Sequence, residues 1–286
     1  MSQPVRIAQA TPEQLVLRSE RVLFAVIVAV SLLLYYLLAR ALATNPESGG
    51  VLITYVVLFA GLFWLTRALG VGHLRGNGVR VGPHQFPLLH RQVELHAERL
   101  GIRELPAVFV VQSGGALNAF ATRFFGRGFV VVNSDILELA LRQGERAVGF
   151  IVAHELGHHW RGHLKWRWLT APGRMVPYLG SAYSRACEYT CDRLGAYCEV
   201  NGAVEGLLVL AAGKVLRTEV DAATYASQVQ TERGYWVWAA ERLASHPRLP
   251  KRVAALLKLG VPAAPKPEHE ELTPANGSQV LAAMPA

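Results

Sequence analysis

"HELGHHWRGH", residues 154–163, places four histidines and one carboxylate within ten positions, and its reading decides the fold. His154 and His158 are four apart, so on a helix both imidazoles project from one face, a turn apart. That spacing lets both bind one metal ion. Glu155 stands beside them, placed to take a proton from an activated water and pass it to a leaving amine. Zinc suits the task because it is redox-inert and tolerates an open coordination position. The preceding "AVGFIVA", Ala147–Ala153, is apolar and holds the helix in a core. His159 sits one step off the metal face. His163, five past His158, is also off it and reads as a helix-end hydrogen-bonding group. Five positions of H-E-x-x-H arise by chance, so the decision rests on the rest of the chain.

A catalytic zinc takes three protein ligands. "SRACEYTCDRLGAY", Ser184–Tyr197, supplies the third. Glu188 and Asp192 are four apart and share a helix face. Glu188 reaches the metal, while Asp192 holds a ligand histidine, His154, by a hydrogen bond to its outer nitrogen. The neighbouring alanine, tyrosine and cysteine residues read as buried, and buried carboxylates need partners. H-E-x-x-H followed by E-x-x-x-D is far more specific than either half.

Of the 286 residues, 51% are hydrophobic and only 17% charged, which is too apolar for a typical soluble enzyme. The net charge of +8 admits nucleic acid as a partner, but no basic-aromatic strand pattern or finger spacing supports one. Basic residues flanking membrane spans explain the charge better. Val22–Ala39 is uncharged and apolar; as a helix it covers about 27 Å, close to the hydrocarbon core of a bilayer. "TNPESGG", Thr44–Gly50, reads as a turn, and Val51–Thr66 is a second apolar run, with Arg67 snorkelling at its end. Together they predict a transmembrane hairpin. Arg6, Arg18 and Arg21 precede it and Arg67, Arg75 and Arg80 follow it, which puts both ends in the cytoplasm. Cys187, Cys191 and Cys198, an odd number at near-helical spacing, suit a reducing compartment. They read as small core residues, with a thiolate metal or redox site as the alternative.

From Gly70 the chain reads as globular. "GNG", Gly76–Gly78, is a turn, and Pro87–Leu100 an amphipathic helix. Ala107–Val111, Leu117–Phe125 and Phe129–Val132 are strands, with a turn at Gly126–Gly128. A short helix capped by Ser134 or Asp135 runs to about Arg142, and the histidine helix begins after Gly144. The organisation expected is a cytoplasmic segment 1–21, a transmembrane hairpin 22–69, a catalytic domain 70–262 and a disordered tail 263–286.

Four stretches resemble the HtpX-like and type I CAAX prenyl protease family of membrane-bound zinc metallopeptidases, of gluzincin type. They are "NAFA" (Asn118–Ala121), "HELGH" (His154–His158), "EYTCD" (Glu188–Asp192) and "SHPRLPKR" (Ser245–Arg252). Their order and spacing match over roughly residues 75–260. The resemblance implies an α+β fold: a zincin-type catalytic domain, mostly helical with a small mixed sheet, behind the two-helix hairpin. It implies one Zn2+ per chain on His154, His158 and Glu188. It also implies a sheet-edge strand that pairs with an extended polypeptide, so that Asn118, Ala119 and Phe120 bind substrate. Asn118 alternatively closes a turn. His246 resembles the late histidine of the family, which with Arg252 steadies the carbonyl oxygen during attack; capping a helix before Pro247 is the other reading. Where such relatives carry alanine before the aspartate, this chain has Cys191. Their further membrane spans between the histidine motif and the third ligand have no counterpart in Leu164–Ser184, which is short and broken by Pro172, Gly173 and Pro177. Its Trp166 and Trp168, among Lys165, Arg167 and Arg174, suit a membrane interface, or else pack inward from a surface loop.

The reading is a membrane-anchored zinc endopeptidase that hydrolyses membrane or misfolded proteins through a water that zinc activates, with Glu155 as general base and acid. It sits in the lipid bilayer of a bacterial inner membrane, with the catalytic domain cytoplasmic. The alternative is a non-catalytic membrane scaffold or chaperone-like protein that keeps its zinc site.

Overall fold

A computed structural model describes residues 7–112, 119–124, 127–139 and 144–263. Two long helices open it, α2 (Arg18–Thr44) and α3 (Pro46–Asn77), after a short helix α1 (Pro12–Leu15). Both are long and apolar enough to cross a bilayer. Their apolar side chains point outward: Tyr36 is 56% and Phe59 65% exposed, which rules out the ordinary core helix.

The expected turn at Thr44–Gly50 is instead a break of one residue, Asn45, and Gly49 and Gly50 are helical. Pro46 explains the restart, since its fixed φ and missing N–H suit the first position of a helix. In an apolar surround every backbone group needs an internal partner, which outweighs the poor helix propensity of glycine. Nor is "GNG" a separate turn: α3 runs to Asn77 with Gly78 as its cap, so residue 70 falls inside a helix. Arg67 does not snorkel to an interface; its Nη2 donates to Thr122 Oγ1 at 2.7 Å.

A four-stranded mixed sheet follows, formed by β1 (Val79–Arg80), β2 (Ala107–Val111), β3 (Ala119–Phe124) and β4 (Arg127–Asn133) in the order β1-β2-β4-β3. Parallel β2 and β4 pair Val108 with Val130 and Phe109 with Val131; β1 and β3 are antiparallel to their neighbours. Strand alternation therefore gives the sheet two apolar faces. Val108, Val110, Val130 and Val132 enter the main core, whereas Phe109, Phe129 and Val131 pack on Val71 and Leu74 of α3. The end of the second apolar helix thus covers one sheet face and fixes the sheet to the hairpin.

α4 (Pro87–Arg99) lies between β1 and β2 in the chain, and α5 (Ser134–Leu139) follows β4 directly. α6 (Glu145–Arg161) is buried without interruption from Ala147 to Gly157. Helices α8 (Leu179–Cys198) and α9 (Ala203–Leu216) pack against it, with α10 (Ala222–Thr231), α11 (Tyr235–Leu243) and α12 (Leu249–Lys258) beyond. The approach of α6 to α8 needs glycine: a Cβ on Gly195 would lie 2.8 Å from the Phe150 ring. Phe150 and Leu194 are fully buried there, each contributing roughly 1.5–3 kcal/mol.

Residues 164–184 contain α7 (Arg167–Met175), which lies against α2, and the start of α8. A Cβ on Gly173 would lie 2.5 Å from Ile27 O, and the Gly173 N–H donates to Ser31 Oγ at 2.9 Å. Trp166 and Trp168 do not pack inward; both are exposed, and Trp168 meets Phe63 of α3 edge-on. The segment read as a disordered tail lies, from residue 264, outside the described residues, as do residues 1–6.

Candidate active site

The unbroken apolar stretch of α6 carries His154, Glu155 and His158 into a cleft of about 530 Å³. α8 brings Glu188 and Asp192 to the same place. His154 Nε2 and His158 Nε2 are 3.3 Å apart. Glu188 Oε2 lies 3.5 Å from the first and Oε1 3.3 Å from the second. Those three side chains offer ligand atoms within 4.8 Å of one another, and His154 and Glu188 are buried. Two neutral-donor imidazoles and one carboxylate, converging from two helices, are the donor set that fits zinc.

The electrostatics agree with a cation site. Burial opposes charge on Glu188, but hydrogen bonds from His154, His158 and His246 hold its carboxyl well below the usual range. Burial likewise works against protonating His154, yet the neighbouring carboxylates of Asp192 and Glu188 push it up to about 10. The pocket is therefore organised for positive charge between these groups. His154 Nδ1 lies 3.0 Å from Asp192 Oδ1, off the line of a well-directed hydrogen bond. Arg252 closes this side: its Nε and Nη2 donate to Asp192 Oδ2 and Oδ1 at 2.8 and 2.6 Å.

Glu155 is buried beside the two histidines, and burial raises its pKa against their opposing charges. Its carboxylate accepts a hydrogen bond from the backbone of Ala121. That bond ties it to β3, which pairs with β4 alone among the described strands and so lies at the sheet edge.

The model of peptidase family M48 matches residues 83–259, more than half of the chain and all four quoted stretches. The chain belongs to peptidase family M48. It is a metallopeptidase, its substrate is a polypeptide, and its two apolar helices mark it as a membrane protein. No curated protein and no solved structure matches it.

Within this M48 peptidase the remaining sequence-predicted residues fall as follows. Ala119, Phe120, His246 and Arg252 all border the cleft. Phe120 is exposed on the edge strand. Asn118 lies outside the described residues. His246 Nδ1 is 3.0 Å from Glu188 Oε2, and that hydrogen bond raises its pKa. Arg252 is buried, with its donors taken by Asp192 and with Nη1 3.2 Å from Glu188 Oε2, so it holds carboxylates in place. The three cysteines are free and buried, and burial pushes their thiols up, Cys198 to about 12.

Glu20 and Arg161 escape a reading by helical spacing, as do the partners of His163, which hydrogen-bonds at the helix end as expected. His163 Nδ1 lies 2.9 Å from His158 Nδ1, and its Nε2 lies 3.1 Å from Glu20 Oε1. Arg161 Nε and Nη2 donate to that same oxygen at 2.9 and 2.8 Å. Burial lowers the pKa of His163 to about 4. The signal was present in sequence as Gly162, directly before His163. Gly162 adopts φ +66, and the chain reverses there instead of continuing the helix.

Proposed function

We propose that this M48 peptidase is a zinc-dependent endopeptidase with one ion per chain, held by His154, His158 and Glu188. The observation that carries the reading is the convergence of two imidazole Nε2 atoms and one carboxylate within 4.8 Å, next to the buried Glu155. Zinc held there would supply Lewis acidity, polarising the scissile carbonyl and making an attacking water more acidic.

The protein's own residues do the rest. Glu155 takes the proton from the attacking water and returns it to the leaving amine; its raised pKa brings it closer to both halves of that transfer. The Ala121 backbone hydrogen bond keeps its carboxylate beside the edge strand. β3 accepts an extended polypeptide by strand addition, with Asn118, Ala119 and Phe120 contributing to that contact, so affinity comes from backbone hydrogen bonds and side-chain preference is weak. Asp192, clamped by Arg252, orients His154. His246, at the mouth of the cleft, stabilises the developing oxyanion.

The substrates are membrane or misfolded proteins. The catalytic domain, residues 70–262, lies on the cytoplasmic side of a bacterial inner membrane, as the flanking arginines favour. The test is hydrolysis of casein in detergent by the full chain and by Glu155→Gln. Cleavage that a chelator abolishes, and that Glu155→Gln lacks while keeping its metal, is expected. Undiminished cleavage by Glu155→Gln would overturn the mechanism, and metal in both with cleavage in neither would favour a binding protein.

A further inference from the structure

His158 and His154 differ in how their outer nitrogens are held. His154 faces Asp192 directly. His158 has Glu188 on its Nε2 side, but among the described residues no carboxylate meets its Nδ1. Its Nδ1 meets His163, and His163 in turn meets Glu20, the third residue of the first membrane helix.

Local sequence explains why His163 is there. α6 ends at Arg161, and Gly162 takes a left-handed conformation that a side chain would strain. The Gly162 N–H bonds His159 O at 3.1 Å, and the His163 N–H bonds His158 O at 3.3 Å. This is a Schellman ending, in which the residue after the glycine folds back onto the one five before it. Usually an apolar contact fills that position. Here two imidazoles meet, their ring centroids 5.1 Å apart.

The proton positions then follow. His158 presents Nε2 to Glu188 and His154. A ligand nitrogen carries no proton, so the ring must carry its proton on Nδ1. His158 Nδ1–H therefore donates to His163 Nδ1, which leaves the His163 proton on Nε2, donated to Glu20 Oε1. Arg161 fixes that oxygen with two further donors. Every donor in the series has an acceptor.

We propose that Glu20, acting through His163, is a positioning residue for the metal ligand His158, so that the first membrane helix completes the metal centre as well as tethering it. The inference rests on His158 being a ligand, as argued above. It makes the hairpin part of the site: moving the start of α2 relative to α6 would release the acceptor that selects the His158 tautomer.

The experiment is zinc affinity of the full chain in detergent, by competition with a chelator of known affinity, for wild type, Glu20→Gln and His163→Leu. The cobalt(II) absorption spectrum and the thermal unfolding of the metal-free proteins are recorded alongside. Outer hydrogen-bond partners of metal ligands are worth about ten- to a hundredfold in affinity. A loss of that size in both variants, with altered cobalt bands and folded metal-free protein, is expected. Combining the two substitutions should cost little more than one, because both cut the same series. Unchanged affinity with only a lowered melting temperature would show that Glu20 merely staples α2 to α6, and would overturn the proposal. If Glu20→Gln does not fold, His163→Leu alone decides, since it leaves the Glu20–Arg161 pair intact. A wild type that binds no zinc, or His158→Ala binding as tightly as wild type, would instead overturn the ligand assignment beneath it.

Discussion

The Tyr35 hydroxyl lies 2.6 Å from the backbone carbonyl oxygen of Trp168. That carbonyl is free because the residue four positions on, Pro172, sits inside α7 and has no N–H to give it. The first membrane helix thus supplies the bond that proline removes. Tyr35→Phe should lower stability in detergent by about 0.5–1.5 kcal/mol. Pro172→Ala restores a backbone donor and should recover most of that loss in the double variant. Purely additive effects in equilibrium unfolding would show that Tyr35 does not serve this carbonyl.

Arg252 and Asp192 form a buried pair. Arg252→Ala would leave the Asp192 carboxylate buried beside Glu188 without its guanidinium, a change that typically costs about 3–5 kcal/mol. Urea unfolding of the metal-free protein should register it. A loss under 1 kcal/mol would mean that water or another cation replaces the guanidinium.

Asp192 also faces His154 Nδ1. Asp192→Asn keeps the shape but weakens the acceptor, so zinc affinity should fall about ten- to a hundredfold while the chain still folds. Unaltered affinity would remove Asp192 from the support of His154.

His96 predicts a pH dependence away from the metal. It is 1% exposed, neither ring nitrogen has a partner among the described residues, and burial pushes its pKa down to about 4. Between pH 6.5 and 4 the unfolded chain binds a proton at this residue that the folded chain does not, so stability falls as the pH is lowered through that window. The full contribution is about 3 kcal/mol. His96→Leu should flatten the acid limb of the stability curve relative to wild type. Parallel curves for the two proteins would contradict the assignment.

The legible and illegible parts of this chain differ for physical reasons. The histidine helix, the E-x-x-x-D pair and the strands at 107–111 and 119–124 carry period-4 and short apolar patterns that local geometry reads directly. The turn expected at Thr44–Gly50 failed because an apolar environment makes glycines helical where water would not. His163 reads correctly as a helix-end hydrogen-bonding group, but its partners depend on the chain reversal at Gly162. Glu20 carried no signal at all: it is a single acid ahead of an apolar run, and its partners are more than a hundred positions away. The contacts of Arg252 with two buried carboxylates depend on the packing of α12 on α8, which no local pattern shows.

The most direct test of the metal centre is elemental analysis of the purified full-length protein, wild type against Glu188→Ala and Glu155→Gln. One zinc per chain in wild type and in Glu155→Gln, with its loss in Glu188→Ala, is the result this account predicts. Zinc retained at full stoichiometry in Glu188→Ala would contradict it, because the third ligand would then have to come from elsewhere.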